Sequence, residues 1–512
     1  MADDMTTELD VIIVGAGLSG IGAAWHLQSR NPSHRYLVLE GRDAIGGTWD
    51  LFRYPGVRSD SDMYTLGYAF RPWPGAKDIA DGPAIRAYVE DTAREYGIDR
   101  HVRTGHRVVR AEWSSDDARW TVRAEVGEAR TPATFTCRFL ITCTGYYRYD
   151  RGYTPQWPGM ETFTGRCVHP QHWPAELDYT GKRVVVIGSG ATAVTLVPSM
   201  AAGDGAAAHV TMLQRSPTYI AIRPSRDPIS HMLRTVLPAR LAHGAARWFN
   251  IARGGFVYWL ARVQPSLVRS ALTKEAAAAL GDAHPVDPHF VPRYDPWDQR
   301  LCLAPDGDFF CVIRTGRATV VTDTVDRITP TGIRLASGRE LTADIIVTAT
   351  GLELQLLHGL SLTVDDVPVE LSRTLTYKGA MLSDVPNFIA AVGYTNMSWT
   401  LKCDLIAAHA SRLVRHMADH GFVQVTPRRP RAPMAERPVL DLTSGYVRRG
   451  VAGLPRQGDR APWRLEQNYA KDVVRFRLAR VDDPALEFRR AEERVRSSPR
   501  GTPAEAPDVV PA

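Results

Sequence analysis

Leu9-Asp10-Val11-Ile12-Ile13-Val14-Gly15-Ala16-Gly17-Leu18-Ser19-Gly20 decides the fold class. An apolar run of strand type ends in G-x-G-x-x-G. A helical pattern follows over residues 21–27, and a second apolar strand, 36–40, closes on Glu40, 20 residues after Gly20. Each part has a task toward a bound dinucleotide. Gly15 permits a tight turn, Gly17 lets the backbone approach a pyrophosphate, and Gly20 lets helix and strand pack closely. The helix start, which carries Ser19, turns its free N–H groups to the phosphates, and the carboxylate of Glu40 accepts from a ribose hydroxyl. Alone the glycine pattern carries little; in register with strand, helix, strand and acid it predicts a βαβ unit binding a dinucleotide.

Outward from this unit the pattern recurs. A strand over 182–187 enters Gly188-Ser189-Gly190-Ala191-Thr192-Ala193, with alanine in the place of the last glycine. A helix over 193–200 follows, then a strand over 209–214 that ends in Arg215-Ser216. An acid there would bond a 2′-hydroxyl, whereas an arginine pairs with a 2′-phosphate, so the second dinucleotide is expected to be NADP. Apolar strands also close on Thr144-Gly145 and on Thr350-Gly351, a weak internal repeat that returns the chain to each nucleotide. The expected class is α/β, with two Rossmann-like dinucleotide-binding domains and a helical insertion. Residues 1–150 form the first part of the FAD domain and 151–350 the NADP domain. Residues 351–490 form the second part of the FAD domain. Residues 491–512, rich in Pro and Ala, are expected to be a disordered tail.

Between the two signatures lies Phe163-Thr164-Gly165-Arg166-Cys167-Val168-His169-Pro170-Gln171-His172-Trp173-Pro174. Its prolines remove backbone donors, so it reads as a shaped connector and not a helix. It is either a joint that feels both cofactors or a buried aromatic linker. Residues 46–64 read as a loop by their glycines and proline. Its Gly47, Thr48, Trp49, Asp60 and Tyr64 are placed to cover a flavin ring. Asn396 and Ser398 are expected N-caps of a helix over 401–417, whose start would offer donors to a flavin pyrimidine oxygen. The insertion, about 225–300, carries Trp248, Phe249, Phe256, Tyr258 and Trp259. Core packing is the expected use of these rings, ahead of a membrane-surface role.

Composition bounds the partners. The 512 residues allow two or three domains at roughly 100–200 each. A 44% hydrophobic and 23% charged chain is ordinary for a globular protein. Net charge is +6 with no long block of one sign, which suits a groove for anionic cofactors and not nucleic acid. Six cysteines form no C-x-x-C pair, so neither a metal site nor a disulfide framework is expected, and the thiols read as reduced. No signal segment and no run of ~20 apolar residues is present, so the expected location is cytoplasmic, with at most peripheral membrane contact.

The connector fits F-x-G-x-x-x-H-x-x-x-W-P, and Gly47-x-Trp49-x4-Tyr54-Pro55-Gly56-x3-Asp60 adds a second fingerprint. Over residues 8–485 the chain resembles the type I Baeyer–Villiger monooxygenases. It is most similar to their ethionamide-activating branch, at 46–71, 185–220, 296–303 and 392–400. The resemblance implies an enzyme that uses FAD, NADPH and O2 to turn ketones into esters through a C4a-peroxyflavin. The protonated peroxide is electrophilic, which extends the substrates to sulfides and thioamides. It implies that Arg300 stabilises the peroxide and positions NADP, and that Asp60 orients Arg300. His169 is implied to couple domain movement to cofactor binding. Gln299 stands where many relatives have lysine, so phosphate recognition rests more on Arg215. One alternative is a flavin-containing monooxygenase acting only on S or N, whose connector lacks the Trp173-Pro174 end. A flavin disulfide reductase would need a cysteine pair, and residues 35–70 hold no cysteine. A non-enzymatic basic binding protein would be colourless.

Overall fold

Val11, Ile12 and Ile13 have no polar group to show to water, and the strand that carries them is buried on both faces. In the computed structural model, which describes residues 8–440 and 443–491, this strand is Glu8–Val14. It pairs in parallel with Tyr36–Leu39 on one side and Thr131–Thr142 on the other. The sheet has nine strands. It continues antiparallel from Thr131–Thr142 through Arg119–Val126 to His106–Ser114, where Trp113 and Trp120 fill the core. The chain returns late to this sheet, at Ser361–Val364 and Phe388–Ala390. Helix Leu18–Arg30 packs against the long helix Trp399–His420.

A second sheet has five parallel strands, in the order Ala318–Thr322, His209–Gln214, Arg183–Ile187, Ile345–Thr348, Arg166–Val168. The last of these lies in the connector. It supplies an edge strand, with Cys167 opposite Ile346, before a 3-10 turn at Pro170–His172. Its first proline comes only after the Arg-Cys-Val triplet, so the N–H groups of that triplet remain free for the ladder. The loop over 46–64 likewise contains single helical turns, Thr48–Leu51 and Met63–Leu66.

Helices Pro228–Val236, Ala239–Val263 and Pro265–Leu280 lie between the paired strands Ile220–Arg223 and Cys302–Pro305. Their aromatic rings were expected in a core; the structure corrects this. Trp248, Phe256 and Trp259 are each more than half exposed, and Phe249 and Tyr258 are half-buried. Apart from Ile251, its one large apolar side chain, the buried stripe of Ala239–Val263 is small or polar instead, with Ala242, His243, Ala246, Arg247 and Asn250. It is held by hydrogen bonds, since the Arg247 guanidinium donates to the carbonyls of Tyr64 and Gly67 at 2.6 and 2.9 Å. Among the described residues no helix is long and apolar enough to cross a membrane. The tail expected from residue 491 lies, beyond Ala491, outside the described residues.

Candidate active site

Both signature turns open into one cleft of about 1150 Å³. From the first unit Gly15, Gly17, Ser19 and Glu40 line it, with Gly47, Thr48, Trp49 and Asp60 of the following loop, Thr144-Gly145, and Ser398. From the second come residues 188–192, Arg215, Ser216, Gln299, Arg300, Thr350 and Gly351. Gly20, Tyr64, His169 and Asn396 do not line it. Gly20 lies beneath the turn, where a Cβ would stand 1.8 Å from the Gly15 carbonyl oxygen. Tyr64 is buried behind its loop, and burial pushes its phenol up to about 12. His169 backs the cleft. Its Nδ1 accepts from the Gln171 N–H at 3.1 Å, so Nε2 carries the proton toward the Gly351 carbonyl, 3.3 Å away. Burial lowers its pKa and keeps the ring neutral.

The expected N-caps act differently. Ser398 occupies the cap position of Trp399–His420, but its hydroxyl pairs with Thr65 Oγ1 at 2.6 Å and makes no capping bond. Asn396 donates to the Gln467 carbonyl. No side chain therefore caps the helix start, and Met397, Ser398 and Trp399 present it to the cleft.

Electrostatics gather at two points. Burial pushes the Glu40 carboxyl up, against the N–H groups of Ala16 and Arg42 that donate to it at 2.6 and 2.9 Å. Arg300 Nη1 lies 3.3 Å from Asp60 Oδ2. The oxygens of Tyr146, Asp60 and Tyr446 outweigh burial and hold the guanidinium above its ordinary range. Its Nε is buried and has no hydrogen-bond partner.

The Tyr54-Pro55-Gly56 loop joins the two halves. Tyr54 and Val57 belong to the hydrophobic core of the second sheet. The Tyr54 hydroxyl lies beside Thr192, Arg58 pairs with Asp308, and Gly56, at φ +73°, packs on Ser199 so closely that a Cβ would overlap it.

Residues 13–81 match the NAD(P)-binding Rossmann-like domain and residues 79–242 the flavin-binding monooxygenase-like family. Over 484 residues the chain is 54% identical to the FAD-containing monooxygenase EthA of Mycobacterium tuberculosis, covering 94% of this chain and 98% of that one. The chain belongs to the FAD-containing monooxygenases. A 53% identical relative, EthA of Mycolicibacterium smegmatis, is covered in full by 96% of this chain. The fold is that of two solved structures. One is an oxidized steroid monooxygenase bound to NADP, with TM-score 0.69, 22% identity and coverage of 82% and 88%. The other is an open cyclohexanone monooxygenase, with TM-score 0.68, 19% identity and coverage of 82% and 90%.

The residues of this monooxygenase fit the groups its family carries. The helices after both glycine turns begin at Gly17 and Gly190 with no side-chain cap, which leaves their first N–H groups for phosphate oxygens. Cβ positions at Gly145 and Gly190 meet nothing within 4 Å, so both backbones face open cleft. Sequence reasoning missed Tyr146, Trp399 and Tyr446 as partners of this site. Tyr146 stacks on Trp399 with centroids 4.9 Å apart, and the indole Nε1 of Trp399 donates to Ser19 Oγ at 3.1 Å. Burial pushes the Tyr446 phenol up to about 12. Tyr146 follows Thr144-Gly145 directly and could have been found from that neighbourhood; Tyr446 stands in no motif.

Proposed function

We propose that this monooxygenase is of Baeyer–Villiger type: it uses NADPH and FAD to insert one oxygen of O2 into ketones, and also oxygenates sulfides and thioamides. The observation that carries this reading is the Arg300–Asp60 pair in the cleft shared by the two nucleotide turns. Bound FAD, once reduced by NADPH, supplies the activation of O2. The chain supplies position and charge. Arg300, permanently cationic, would stabilise the negative charge that gathers on the carbonyl oxygen under attack. Asp60 holds the guanidinium in orientation by a charge-assisted hydrogen bond. The helix start at Trp399 offers N–H groups to the flavin. The domain division and the roles of Glu40 and Arg215 follow the sequence reading, and His169 acts by fixing Gly351.

Product analysis tests the reading. With NADPH, a phenyl ketone is expected to yield its ester and a phenyl sulfide its sulfoxide. Sulfoxide without ester would favour an enzyme restricted to S and N. Arg215→Ala is expected to raise KM for NADPH about 10- to 100-fold, the worth of a hydrogen bond to a charged group, and to leave that for NADH nearly unchanged. An equal rise for both nucleotides would remove the 2′-phosphate role.

A further inference from the structure

A second cavity, about 60 Å³, adjoins the cleft, and Tyr146, Arg300, Trp399 and Tyr446 line both. Its walls are otherwise mostly apolar, among them Met381, Leu382, Val392, Leu454 and Leu465. Two of them are kept by glycine. A Cβ on Gly379 would stand 2.3 Å from Leu465 Cδ2, and one on Gly393 would stand 2.4 Å from the Trp399 ring.

Thr376, Thr395, Lys402 and Gln467 interrupt these walls with polar groups. Thr376 is buried, lines the cavity, and its Oγ1 has no hydrogen-bond partner. A buried hydroxyl left unpaired is costly, and such a group in a native protein calls for a ligand or a water. Lys402, 3% exposed, also lines the cavity. Its Nζ donates to Asp472 Oδ2 at 3.3 Å, and Tyr394 donates to the same oxygen at 2.6 Å. An ammonium has three donors, so this pairing leaves others for the cavity.

Resting on the oxygenation reading above, we propose that this cavity takes the far end of the substrate. That substrate is an apolar ketone carrying a second, uncharged hydrogen-bond acceptor, held by Thr376 and Lys402 while its reacting carbonyl lies at Arg300. The apolar walls select the carbon chain. The pairing of Arg300 with Asp60 and of Lys402 with Asp472 leaves no unbalanced charge to attract an ion, and burying one would be costly.

Two ketones of one chain length, 2-octanone and 2,7-octanedione, test this with the FAD-loaded enzyme and NADP+. Equilibrium binding is read from the flavin absorbance and KM from turnover. The diketone is expected to bind about tenfold more tightly, the worth of one good hydrogen bond. Thr376→Val keeps the shape without the hydroxyl and should collapse that ratio toward one; Thr376→Ser should restore it. Equal affinities in the wild-type enzyme, or a ratio unmoved by Thr376→Val, would overturn the proposal. The expected binding ratio without any ester would defeat the oxygenation reading and leave this site standing. Esters without the ratio would do the reverse.

Discussion

Arg300→Ala is expected to abolish ester formation while FAD is still reduced by NADPH. The two steps separate because they need different things from the chain. Hydride transfer needs the two nucleotides aligned, a task that the proposed reading gives to the backbone of the glycine turns at Gly15 and Gly188. Oxygen insertion needs a fixed positive charge where negative charge develops. Arg300 is paired with Asp60 at 3.3 Å, set among the oxygens of Tyr146 and Tyr446, and lines both the cleft and the cavity beside it. Removal of one such stabilising group costs on the order of 10²–10³ in rate. Arg300→Lys should recover little, because an ammonium cannot reproduce the planar fork that meets a carboxylate. Stopped-flow flavin reduction beside ester quantification makes the measurement. Ester formed at the normal rate by Arg300→Ala would remove Arg300 from the chemistry.

Gly20→Ala carries the second large effect. The new Cβ would stand 1.8 Å from the Gly15 carbonyl oxygen, an atom of the turn itself, with no rotamer to move away. The turn and helix Leu18–Arg30 must separate, and with them the N–H groups meant for the pyrophosphate. Overpacking of this kind costs about 1–3 kcal/mol or more. The variant should purify with most of its flavin lost and a lowered Tm. Gly22→Ala, two residues on, is the control: its Cβ meets only the Tyr68 ring at 3.1 Å, which can give. Flavin content equal in the two variants would show that the close approach at Gly20 does not hold the cofactor.

How much of this was legible followed from what each residue needs. Gly15, Gly20 and Gly188 announce themselves because their task belongs to the backbone and only glycine can perform it. The presence of Glu40 and Arg215 in the cleft was legible from their place at strand ends. Arg300 was not: one arginine in a loop looks like any other, and only the resemblance singled it out. The buried face of Ala239–Val263 was misread because hydrophobicity marks the inside only where burial is apolar. Arg247 is buried because carbonyls at Tyr64 and Gly67, far off in sequence, receive it. Thr376 and Tyr446 carry no motif at all; each matters through what the fold sets beside it.

The Tyr54-Pro55-Gly56 loop has a thermodynamic consequence. It follows the first glycine unit in the chain yet is built into the core of the second sheet, with Tyr54 beside Thr192 and Gly56 on Ser199. In the proposed reading one wall thus serves two binding equilibria. Whatever factor NADP+ binding imposes through that wall on the dissociation constant of FAD, FAD must return to NADP+ unchanged, because linkage between equilibria is reciprocal.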